Sequence, residues 1–492
     1  MGVLGGAAES LAASLASLSR GGECGACDGI RAISVLWVLA DHGFAFSVAH
    51  KFHGLQQHWA SMVPTAGNLG VDAFFVLSGF LLGGALHGEQ LRSGRMALGK
   101  FMCRRIFRIY PTLYSAMLAA MVASSFAYQG ADGAMSIRNV CPDATWWYNL
   151  YFWNNNGEKR ATCNDQTWSV SAELQMYVAT PLLLALSSRI AGFAKLSQPC
   201  RVTTSRCAVS LCLMGWVACA ALGLRFVFSH DLDDLSPHAS NSYYTGTQYR
   251  FGAYLAGVLA GVLVAQWKAQ DRLRAFRART SCAALVLAAL IVVSCIVVGR
   301  WWPYIWLACR IHFPIFTKAW VALCRMLFAG AVAYVLLHCA CGPATVLARF
   351  LGAPAWRPVA ALSYSMYMMQ YASYEVFSHP LHWTGLGHLC ASLHPGTPLW
   401  RVALVGWLVV LAFVLVNIPL SLLNYICIER SGIALGRVCV GRWCRGPAAV
   451  LSVSEDCAGT VKGSHAFAPD REAPEIRAGE GDVGGAEGCR EV

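Results

Sequence analysis

Ten apolar stretches decide what this chain can become: roughly residues 30–49, 69–87, 110–128, 167–187, 207–228, 249–267, 281–299, 319–339, 361–377 and 402–425. Each has close to the ~20 residues that an α-helix needs to cross a bilayer core. Inside lipid a backbone amide must bond within its own segment, so repeated runs of this length leave helices as the workable structure. Charged residues make up only 13% of the 492, and mean hydropathy is +0.48. A soluble domain carries charge on about a quarter of its residues. The expected fold class is therefore all-α, a polytopic membrane helix bundle of about ten transmembrane spans. Trp301–Ile311 is too short and irregular to span, and is expected at the interface, where Trp and Tyr are favoured.

Basic residues orient the bundle. Arg92, Arg95, Lys100, Arg104, Arg105 and Arg108 follow the second stretch, Arg189, Lys195, Arg201 and Arg206 the fourth, and Lys268 to Arg279 the sixth. The alternate loops are poorer, and 378–400 holds no Lys or Arg between His379 and Trp400. Lys and Arg concentrate in cytoplasmic loops, so both termini are expected on the cytoplasmic side. This accounts for the net charge of +12, and no nucleic-acid motif is present. The expected organisation is a flexible segment 1–28, a transmembrane domain 29–430 and a largely disordered cytoplasmic tail 431–492, rich in Gly, Ala and Glu. No cleaved signal peptide is expected at the N-terminus.

Most of the 21 cysteines lie in apolar runs, where Cys behaves as a small hydrophobe. Cys24 and Cys27 lack a second pair at metal-site spacing, so no metal is expected. Cys141 and Cys163 flank one polar outer loop, and either a disulfide or two free thiols fits that placement.

Charged groups inside the apolar stretches point to chemistry, since an ionisable residue at the bilayer centre is costly. GIRAISVLWVLADHGF, Gly29 to Phe44, carries Arg31 and His42. Eleven residues is about three turns, so both point from one helix face, roughly 16 Å apart along the axis. GVDAFFVLSGFLL starts with Asp72 near its outer end. Asp72 is expected to meet His42, fixing its tautomer and making the other ring nitrogen a base. In RRIFRIYP, Arg104 and Arg108 are four residues apart and share a face, and guanidinium forks match phosphate oxygens. QTWSVSAELQMY places Glu173 two turns into the fourth stretch, and a buried glutamate needs a partner or a proton. Gly257 and Gly261 form a GxxxG pattern suited to close helix packing.

These segments, in the order DGIRAISVLWVLADH, GVDAFFVLSGFLL, RRIFRIYP, TWSVSAELQMY and ALSYSMYMM, resemble the acyltransferase-3 family of integral membrane acyltransferases. Within it the nose-resistant-to-fluoxetine-like branch is most similar, through NLYFWNNNGEKRATCNDQTWSVSAELQMY, QYRFGAYLAGVLAGVL and CRMLFAGAVAYV. The resemblance implies transfer of an acyl group, typically acetyl, from cytoplasmic acyl-CoA to a hydroxyl of a carbohydrate or lipid acceptor, in a membrane-lipid setting. It maps the functional pair onto Arg31 and His42 and the RxxR element onto Arg105 and Arg108, beside Arg104. Catalytic roles then fall to His42, Asp72 and Glu173, and acyl-CoA binding to Arg31, Arg104, Arg105 and Arg108. The chain departs from the family's SYxxYLxH element, with Gln370 in place of the final His, and from its late Glu-Pro element, where Asn417-Ile418-Pro419 and Glu429-Arg430-Ser431 stand. The rival readings are a lipid or small-molecule transporter, since polar intramembrane residues also mark transport paths, and a catalytically inactive acyl-CoA binder.

Overall fold

The computed structural model describes most of residues 25–443 and the pair 451–452, leaving out chiefly 46–54, 126–147, 156–163, 194–199, 231–240, 271–281, 310–313 and 382–387. Eleven helices of 14 residues or more carry the described chain: α1 (Gly25–Phe44), α2 (Asn68–Ser93), α3 (Leu98–Ser125), α4 (Thr167–Phe193), α5 (Cys200–Phe228), α6 (Thr247–Ala269), α7 (Cys282–Cys309), α8 (Pro314–Cys341), α9 (Arg357–Leu381), α10 (Leu399–Asn424) and α11 (Arg430–Trp443). Each of the ten apolar stretches overlaps one of α1 to α10. Among the described residues, seven helices are long and apolar enough to cross a membrane.

Two boundaries differ from expectation. Trp301–Cys309 continues α7 as helix instead of lying apart as an irregular segment. Residues past 430 continue too: α10 runs through one turn of π-helix, Tyr425–Glu429, into α11. Apolar periodicity fades there, yet α11 has a tertiary partner in α3. Pro111 lies inside α3 and has no N–H to offer the carbonyl one turn back, that of Phe107. Gly432 packs on that carbonyl so closely that a Cβ would lie 2.3 Å from the oxygen. The Cys141–Cys163 pair falls outside the described residues, as do 1–24 and 453–492.

Helix α2 is the centre of the bundle and touches α1, α4, α6 and α8. It stops where Gly94 adopts a left-handed φ of 68° and returns its N–H to the Gln90 carbonyl, a common helix end. Its contact with α6 is backbone on backbone: a Cβ at Gly257 would lie 1.9 Å from the Val76 oxygen. The GxxxG stripe thus lets the two helices approach, as its sequence pattern suggests. On the other side α1 packs against α9 and α10, and α9 against α3. The five helices α1, α2, α3, α4 and α9 leave a space between them.

Candidate functional site

That space is a cavity enclosing about 820 Å³, solvent at its mouth included. Arg31 of α1 and Arg105 and Arg108 of α3 line it, with Ser78 of α2, Ser169, Glu173 and Tyr177 of α4, and Ser363, Tyr364 and Tyr367 of α9. Three guanidinium groups around one carboxylate make it a basic chamber. Its remaining lining is aromatic and aliphatic, from Val71, Phe74, Phe75 and Leu81 among others.

Each charged group is held. Arg31 pairs with Asp28 one turn earlier, at 3.8 Å. Arg105 lies over the rings of Phe101 and Tyr177, 5.5 and 5.0 Å from their centroids, close enough for cation–π attraction. Arg108 forms an ion pair at 3.4 Å with the carboxylate of Glu429, which is 1% exposed and accepts a hydrogen bond at its other oxygen from Ser365 Oγ at 2.8 Å. Glu429 closes the π-helical turn; a wide turn of this kind often sits at a functional site. Glu173 accepts hydrogen bonds from Ser78 and Tyr177. Arg104 belongs elsewhere: its side chain is exposed, and it is absent from the cavity lining. Four residues from Arg108 is one turn and some 40° round the helix.

Toward the far end, Tyr367 Oη and Ser169 Oγ hydrogen-bond at 2.7 Å. One turn further along α9 comes Gln370, and here the chain places His42, with Nδ1 2.6 Å from Gln370 Oε1 and Tyr371 edge-on at 6.4 Å between centroids. His42 is not among the lining residues of the chamber. It lies on the same helix as Arg31, about 16 Å further along the axis.

Asp72 does not meet His42. Its two carboxylate oxygens bind Arg250 Nη1 at 3.0 Å and Arg325 Nη1 at 2.5 Å. Asp72 follows Val71, which lines the chamber; successive helix residues point about 100° apart, so Asp72 turns to α6 and α8 instead. Tyr244 stacks on both arginines, 4.3 and 5.0 Å from ring to guanidinium carbon. Asp72 therefore clamps three helices, and α9 supplies a hydrogen-bond partner of His42 in Gln370.

The sequence reading passed over Arg250, Arg325 and Glu429. The first two are charged residues inside apolar stretches, the signal that singled out Arg31, and an arginine at those depths needs a carboxylate. Glu429 was visible only as part of an altered motif. Among the described residues no group of three or more His, Cys, Asp or Glu could hold a metal ion.

The sequence matches the family model of the "Acyltransferase domain" over residues 25–423. Similar proteins include the putative peptidoglycan O-acetyltransferase YrhL of Bacillus subtilis, 26% identical over 360 residues, which cover 70% of this chain and 47% of that protein. The peptidoglycan O-acetyltransferase OatA of Listeria monocytogenes is 28% identical over 168 residues, 32% of this chain and 23% of that protein. A putative O-acetyltransferase of Staphylococcus aureus strain COL is 28% identical over 162 residues, 32% of this chain and 24% of that protein. The chain thus spans less than half the length of each of these relatives. No solved structure matches.

Proposed function

The chain belongs to the acyltransferase-3 family, and on that premise we propose that it is a multi-pass membrane O-acyltransferase that takes its acyl group, typically acetyl, from cytoplasmic acyl-CoA. The observation that carries this reading is the chamber of Arg31, Arg105 and Arg108, with Arg31 on the helix that also bears His42. Guanidinium groups suit the phosphates of acyl-CoA. The 16 Å of helix between Arg31 and His42 suits a donor with a charged head and a reactive tip.

In this mechanism the pantetheine arm runs along α1 past the Ser169–Tyr367 pair. His42 takes the proton of the acceptor hydroxyl while the hydroxyl oxygen attacks the thioester carbonyl carbon. The carbon–sulfur bond breaks, and the CoA thiolate leaves and collects that proton. In a two-step variant His42 is acylated first and the hydroxyl then attacks the acyl-imidazole. General-base assistance of the first kind contributes typically 10²–10⁴-fold. Glu173 is a positioning residue here, holding Ser78 and Tyr177 at the chamber wall. The acceptor is a carbohydrate or lipid hydroxyl, in keeping with relatives named for O-acetylation of peptidoglycan.

We assign the chain to the nose-resistant-to-fluoxetine-like branch on its motif text, with residues 29–430 as the transmembrane acyltransferase domain in a plasma membrane or endomembrane. Ten spans with both termini cytoplasmic follow from the alternation of basic loops. Membranes holding the full chain, supplied with labelled acetyl-CoA, provide the test. His42→Ala is expected to lower acetyl transfer at least 100-fold at equal protein level; undiminished transfer ends the reading.

A further inference from the structure

We infer that Gln370 is the positioning residue of the reaction: its amide oxygen accepts a hydrogen bond from Nδ1–H of His42, holding the proton on Nδ1 and leaving Nε2 as the basic nitrogen. The inference rests on the reading of His42 as the base. Gln370 Oε1 lies 2.6 Å from His42 Nδ1. An amide oxygen only accepts, so at that distance the ring nitrogen must be the donor; two lone pairs there would repel. A neutral imidazole with its proton on Nδ1 carries its lone pair on Nε2. The glutamine thus sets a tautomer, the role more often given to a carboxylate.

Burial supports this. Gln370 is 0% exposed, and among the described residues its Nε2 has no hydrogen-bond partner. An unsatisfied buried donor costs about 1–3 kcal/mol, so hydrophobic packing alone would favour a methionine or leucine here. What the amide supplies at this position is Oε1. The α9 backbone holds it rigidly: neighbours on either side are fixed by Tyr367 Oη to Ser169 and by Ser373 Oγ to the Met369 carbonyl at 2.8 Å. The chain's departure from the family pattern at this position therefore keeps an acceptor beside His42. In the transfer step this tautomer lets Nε2 receive the hydroxyl proton and hand it to the departing thiolate, while the other proton stays on Nδ1, hydrogen-bonded to Gln370 Oε1 throughout.

Three full-length variants in membrane vesicles, assayed by thiol release and label transfer from acetyl-CoA, decide the matter. Gln370→Met keeps length and burial but removes the acceptor, and is expected to lower turnover at least about tenfold with the donor KM unchanged. Gln370→Glu keeps an acceptor oxygen at the same reach, and is expected to stay within about fivefold of the native chain. A purely structural glutamine gives the opposite order, because burying a carboxylate is costlier than burying a thioether. Native turnover in Gln370→Met, or Gln370→Glu as impaired as Gln370→Met, overturns the inference. If Gln370→Met does not accumulate in the membrane, the turnover of Gln370→Glu against the native chain decides alone. His42→Ala separates the two levels. Its inactivity beside a fully active Gln370→Met removes only the role of Gln370, while its full activity removes the base itself.

Discussion

Replacing Asp72 by Asn tests whether this carboxylate is a clamp or a catalyst. Asp72 is 1% exposed and its oxygens lie 3.0 and 2.5 Å from Arg250 and Arg325. At an effective dielectric near 20, a unit-charge pair at 3.0 Å attracts by about 5 kcal/mol before desolvation is counted. The net value of the pair is smaller, but removing one member of a buried ion pair costs about 3–5 kcal/mol, because the partner charge is stranded. Here two guanidinium groups are stranded and also repel each other, so the upper part of that range applies. Arg325 retains 21% side-chain exposure, which lets water absorb part of the loss. A cost of this size is a large share of a typical folding free energy of roughly 5–15 kcal/mol. The expectation is a strongly lowered midpoint of thermal unfolding in detergent for Asp72→Asn. Partial recovery is expected in Asp72→Asn combined with Arg325→Met, which removes one stranded cation. Activity per folded molecule should stay within a few-fold of the native chain. An Asp72→Asn protein with native thermal stability and no turnover would refute the clamp and return Asp72 to the chemistry.

Arg105→Ala and Arg108→Ala should each raise the apparent KM for acetyl-CoA more than they lower turnover, about tenfold for a charge-assisted bond worth roughly 1.5 kcal/mol; an unchanged KM in both would remove the donor role of the chamber. Arg104→Ala should leave that KM within twofold, since its side chain is exposed outside the chamber; a rise equal to that of Arg105→Ala would contradict the geometry. Gly257→Val should abolish folded protein in the membrane, because a Cβ there meets the Val76 oxygen at 1.9 Å; normal yield and stability would show that α2 and α6 are not so close.

Period and composition determined the element type and the number of long apolar segments, because a helix in lipid answers only to its own length and hydropathy. The i, i+11 relation of Arg31 and His42 was likewise fixed within one helix. The GxxxG contact followed from residue size alone. Partners between helices were a different matter. His42 lies near the end of α1 and Asp72 near the start of α2, the next long helix, and one-dimensional spacing brought them together. The rotation of α2 about its axis instead gave Asp72 to Arg250 and Arg325, and α9, more than 300 residues along the chain, brought Gln370 to His42. Rotation and neighbour choice are set by how whole helices pack against one another, which no local stretch encodes. The same applies to Arg104 and Arg108: both read as phosphate-binding from the sequence, and one turn of α3 put only the second on the chamber.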